Sequence, residues 1–75
     1  MDETDAQLYA RLVETDAEFR RLAEKHRALD AKVAELDRIY YLTSEQERKR
    51  KDLQKQKLAL KDRLAVLMQE ARRTG

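Results

Sequence analysis

The chain has no cysteine and no proline, and its only glycine is the last residue, Gly75. Without cysteine, neither disulfides nor thiolate metal ligands can staple a small core, so packing must hold it. Missing proline and internal glycine, together with 43% charged and 41% hydrophobic residues, match a long-helix or coiled-coil chain and exclude a compact α/β domain. No apolar run approaches the roughly 18 residues of a membrane span. The opening MDETDAQLYARL is acidic where a secretory signal would be basic. The expectation is a soluble, cytoplasmic protein with no membrane partner. At 75 residues the chain is one domain, residues 1–75.

The net charge of +2 hides an asymmetry. Residues 1–44 hold 7 basic and 10 acidic side chains, a balance of −3, and residues 45–75 hold 10 and 5, a balance of +5. The two halves attract each other.

Apolar residues recur at alternating steps of four and three. One column runs through Leu12, Phe19, His26, Val33 and Tyr40, and its companion through Leu8, Thr15, Leu22, Leu29 and Leu36. A second seam runs through Leu53, Lys57, Leu60, Leu64, Leu67 and Ala71, extended backward by Arg50 and Gln46. Between the seams lies YYLTSEQE, where Ser44 with Glu47 has the capping-box spacing and Thr43 with Gln46 fits the same template one residue earlier. The prediction is an all-α, antiparallel two-helix coiled-coil hairpin: a helix over about 5–41, a turn at about 42–44 and a helix over about 45–72. A turn near Thr43 pairs positions whose numbers add to roughly 86.

A weaker break signal sits at ETDAEF, where Thr15 and Glu18 also match a capping box and Asp16 offers another cap. A short leading helix kinked off there is the alternative. The heptad crosses Thr15 without a change of phase, which favours a continuous helix.

The basic stretch ERKRKDLQKQKLALKD has a bland reading and a sharper one. In the bland one, Lys49 and Arg63 flank the second seam and face Glu18, Asp30 and Asp37 of the acidic arm. In the sharper one, Arg48, Lys49, Arg50, Lys51, Lys55 and Lys61 are candidate phosphate contacts. No aromatic side chain interleaves these bases, since Tyr9, Tyr40 and Tyr41 belong to the acidic arm, so stacking readout is not expected.

His26 is the only histidine, with Asp30 four residues on and Lys57 close to both across the predicted hairpin. These three form a predicted polar layer inside the apolar seam, able to fix register. As metal ligands, His26 and Asp30 are two where zinc takes three or four. The only serine, Ser44, is accounted for by capping, and the chain has no cysteine nucleophile and no glycine-rich phosphate loop. The reading is a non-enzyme with no catalytic residue, no cofactor and no metal.

EFRRLAEKHRALDAKVAEL followed by DLQKQKLALKDRLAVLMQE resembles the YdcH-like proteins, small bacterial proteins classed as a domain of unknown function. The resemblance rests on Phe19, His26, Leu29 and Asp30 in the first arm and on Lys55, Lys57, Leu58, Leu60, Lys61 and Asp62 in the second, and spans about residues 8–70. It implies a helical, coiled-coil-type hairpin and supplies no activity. Many relatives carry a breaker such as proline just before the phenylalanine, where this chain has TDAEF.

Two helices alone bury little, and Leu58, Ala65 and Met68 lie beside the second seam as a candidate oligomer surface, with Tyr9, Val13 and Ala23 beside the first. Such a broad stripe must pack on a second hairpin, giving a four-helix bundle, or on the leading segment folded back. The function expected is a structural or protein-interaction module, a homo-oligomer with the dimer favoured and an unidentified protein partner. Nucleic-acid binding by the basic second helix is the alternative.

Overall fold

The structure is a computed structural model that describes residues 3–74; residues 1, 2 and 75 of the expected domain lie outside the described residues. It is all-helical, with α1 at Asp5–Thr15, α2 at Ala17–Asp37 and α3 at Ser44–Thr74. Among the described residues no helix is long and apolar enough to cross a membrane.

α1 begins at Thr4, whose hydroxyl accepts the Gln7 N–H at 3.2 Å while the Gln7 side chain accepts the Thr4 N–H at 3.0 Å. This reciprocal box satisfies two amides that a helix start otherwise leaves unpaired. The helix stops after Thr15, and the continuous helix expected through this point is not formed. Asp16 takes an extended backbone, φ −122° and ψ 110°, and serves both neighbours. Its N–H donates to the Leu12 carbonyl at 2.8 Å, and its carboxylate accepts the Phe19 N–H at 3.1 Å. Arg20 then reaches back, donating to the carbonyls of Val13 at 2.7 Å and Glu14 at 3.0 Å. The Leu12, Val13 and Glu14 carbonyls and the Phe19 N–H, all freed at the break, are thereby satisfied.

Burial explains why the break wins over an unbroken heptad. α1 folds back on the other two helices, and Leu8 and Leu12 join Phe19, Ala23 and Leu64 in one buried cluster. Phe19 is 0% exposed and Leu8 1%. Covering each such side chain is worth about 1.5–3 kcal/mol, more than the few backbone bonds replaced by caps. Tyr9, Val13, Leu22, Leu67, Met68 and Ala71 pack around the cluster. Thr15, expected in the seam, sits exposed at the end of α1.

α2 ends four residues earlier than expected. The Arg38 N–H bonds the Glu35 carbonyl at 3.3 Å and the Ile39 N–H bonds Leu36 at 3.1 Å, the tightened i+3 pattern of a closing turn. Residues 38–43 form the connection, so Tyr40 leaves the predicted seam for solvent. At the start of α3, Thr43 and Gln46 make the reciprocal box, at 3.1 and 2.9 Å, and the Glu47 N–H bonds the Thr43 carbonyl. The cap is therefore Thr43, and Ser44 is the first helical residue.

α2 and α3 lie side by side with opposite directions. Asp37 meets Arg50 at 2.7 Å, Asp30 meets Lys57 at 2.7 Å and Glu18 meets Arg63 at 3.4 Å, while Asp5 of α1 meets Arg72. Acidic positions advance along the first half as basic ones recede along the second. The pairs nearest the connection sit one residue from the registration expected for a turn at Thr43. Arg50, not Lys49, takes Asp37. Val33 and Leu53 are buried in the half of the pair nearer the connection.

Candidate functional site

Helical spacing places His26 and Asp30 on one face of α2, and Lys57 faces them from α3. The Lys57 ammonium donates to an Asp30 oxygen at 2.7 Å. That hydrogen bond, and then the lysine charge itself, hold the Asp30 carboxyl below its ordinary value against a smaller opposing effect of burial. His26 does not enter the hydrogen bond. Its Nε2 is buried with no hydrogen-bond partner among the described residues. None of the three residues is buried as a whole: Asp30 is exposed, while His26 and Lys57 are half-buried.

The three residues share a cleft with Tyr9, Lys61, Leu64, Ala65 and Met68. Tyr9 comes from α1, so the fold-back of the leading helix builds one wall. Among the described residues no group of three or more His, Cys, Asp or Glu side chains stands together as a metal ion would require.

The candidate phosphate contacts separate into two sets. Arg50 is engaged by Asp37. Arg48, Lys49, Lys51, Lys55 and Lys61 are exposed and make no ion pair among the described residues. Arg48, Lys51 and Lys55, at steps of three and four, share one exposed stripe of α3. The candidate oligomer surface is also divided. Leu58 is 56% exposed and Ala65 is exposed, whereas Met68 packs against the core cluster beneath α1.

A second groove lies between α2 and α3 and contains no α1 residue. Lys25, Ala28, Leu29 and Lys32 line one side of it and Gln56, Ala59 and Leu60 the other. Sequence reasoning also missed the exposure of Tyr40 and Tyr41 in the connection. The available signal was the run Ile39–Tyr40–Tyr41, three residues of middling to low helix propensity placed just before the Thr43 cap.

Residues 19–68 match the family described as "Protein of unknown function (DUF465)". The chain belongs to this family. The YdcH-like proteins are members of it, in keeping with the resemblance carried by Phe19 to Asp62. The DUF465 match opens at Phe19, two residues into α2, and closes at Met68, so it holds the α2–α3 pair, its connection, and His26, Asp30 and Lys57. α1 lies outside it. No curated protein and no solved structure matches the chain.

Proposed function

We propose that this DUF465 chain is a non-catalytic, antiparallel coiled-coil hairpin that works as a protein-interaction module and pairs with a second copy of itself. The observation that carries the reading is the groove lined by Ala28, Leu29, Ala59 and Leu60, which α1 leaves uncovered. Tyr9 and Val13 of α1 pack with Met68 against the cluster that holds Ala23, so these no longer call for a partner. What remains is Leu29 and Leu36 with Leu60, all half-buried, together with exposed Val66. An apolar stripe wider than one neighbour covers gains by packing on another helix pair. The exposed alanines let facing backbones approach closely, giving a four-helix core. Lys25 and Lys32 keep the rim polar.

Sedimentation equilibrium over the micromolar range tests the reading. The wild-type chain should sediment as a dimer, and an Ala28→Arg, Ala59→Arg double variant, altered only at exposed positions, as a monomer. A wild-type chain that stays monomeric across that range would refute the self-pairing, and a variant dimer would place it elsewhere than this groove.

A further inference from the structure

The connection between α2 and α3 holds two aromatic rings in solvent. Tyr40 is 89% exposed and Tyr41 82%, while Ile39 is exposed to a lesser degree, at 39%, and Leu42 is half-buried. The rings are far more exposed than either aliphatic side chain. The rings touch edge to face, with centroids 4.7 Å apart and planes at 87°. Each limits the motion of the other, and the pair leaves both faces of one ring and one face of its neighbour uncovered.

The surroundings of the rings are basic. Residues 38–51 hold five Lys or Arg against two acids, Glu45 and Glu47. Both acids lie in the first turn of α3, where they complement the positive end of the helix dipole. Arg50 is taken by Asp37, which leaves Arg38, Arg48, Lys49 and Lys51 without ion-pair partners among the described residues. Arg48, Lys51 and Lys55 continue the unpaired positive charge along the outer stripe of α3, interrupted by the one carboxylate of Asp52, which accepts from Gln56. Aromatic faces beside a track of free cations are what an unpaired polynucleotide needs: a π-surface for a splayed base and a basic path for its phosphates.

We propose that this tip binds single-stranded nucleic acid, with bases stacking on Tyr40 and Tyr41 and the backbone following Arg48, Lys51 and Lys55. The tip is separate from the Ala28–Leu60 groove, so the inference goes beyond the pairing argued above. Stacking on exposed rings reads no base edge, so binding tolerates any sequence and disfavours duplex, whose bases are already stacked. An anionic lipid surface is the competing occupant of an aromatic, basic tip. The geometry favours nucleic acid because Leu42 is half-buried, which leaves Ile39 as the one exposed aliphatic side chain of the connection, too little to anchor in hydrocarbon.

Fluorescence anisotropy with a labelled single-stranded oligouridine, a duplex RNA and vesicles containing phosphatidylserine separates these outcomes. The single strand should bind, with affinity falling as salt rises. Tyr40→Leu and Tyr41→Leu should each weaken it about fivefold or more, the effect of losing one stacked base, with the salt slope unchanged. Tyr40→Phe should keep the affinity. Lys51→Gln with Lys55→Gln should lower the slope by about 1.4, at about 0.7 per phosphate on a single strand. All these positions are exposed, and circular dichroism confirms that helix content is kept. Binding absent at about 100 µM protein, the weak end of non-specific affinity, overturns the proposal. So does single-strand binding indifferent to both leucine variants, duplex bound as tightly, or adsorption to vesicles in place of RNA.

Discussion

The Tyr9 ring stands edge-on to the Phe19 ring, with centroids 5.1 Å apart and planes at 76°. One residue belongs to α1 and the other to α2, so the contact exists only because the chain breaks between them at Asp16. Phe19 is the largest fully buried side chain among the described residues, and it joins α1 to the α2–α3 pair through the cluster with Leu8, Leu12 and Leu64. Replacing it by alanine should cost about 3–5 kcal/mol, comparable with the whole stability of a small domain. Urea unfolding followed by circular dichroism should show a lost or strongly weakened transition for Phe19→Ala and a smaller change for Phe19→Leu.

The two breaks in the helix carry separable caps. Asp16→Ala removes the carboxylate that accepts the Phe19 N–H and should cost about 0.5–2 kcal/mol, and Asp16→Asn much less, since asparagine caps as well. At the second break, Thr43→Ala should cost about as much as Asp16→Ala, while Ser44→Ala should leave the unfolding midpoint close to wild type. The reverse order at Thr43 and Ser44 would assign the cap to Ser44.

Much of this was legible in the sequence. The heptad columns marked Phe19, Val33, Leu53 and Leu64, all of which are buried, and the opposite charge of the two halves anticipated the ion pairs that join α2 and α3. The break at Asp16 was not decided by pattern, because Leu8 and Leu12 hold the same phase whether or not the helix continues. What decides it is tertiary: the burial α1 gains by folding back, and the reach of Arg20 to Val13 and Glu14, which no local spacing rule contains. The end of α2 was misplaced because Tyr40 satisfies the apolar period. Weak helix propensity at Ile39–Tyr41 and the Thr43 cap outweigh one more seam position. Asp30 is exposed and His26 and Lys57 only half-buried; a period locates a residue on a face but does not say how far the opposite helix covers it.

The Asp30–Lys57 contact predicts a specific acid response. The Asp30 carboxyl is lowered in the folded chain, so the contribution of the pair is complete above the ordinary carboxylate value of about 3.9 and fades as pH falls through the lowered folded value. Glu3, lowered by its hydrogen bond from Arg11, acts in the same direction. The gap in unfolding midpoint between wild type and Asp30→Asn should be open near neutrality and close in acid. It should also narrow in high salt, because Asp30 is exposed and screening reaches it. A gap that is constant with pH would mean that the contact adds nothing through charge.

The account rests on one chain folding back twice, at Asp16 and again between Asp37 and Ser44, so that Leu8, Phe19 and Leu64 share a core. Isotope-filtered nuclear Overhauser spectroscopy on a mixture of labelled and unlabelled chains tests this most directly, because it separates contacts within a chain from contacts between chains. The prediction is that cross-peaks join the Phe19 ring to the Tyr9 ring and to the Leu8 and Leu64 methyl groups within the same molecule. Cross-peaks from Phe19 to Leu64 seen only between different molecules, or none at all, would contradict it.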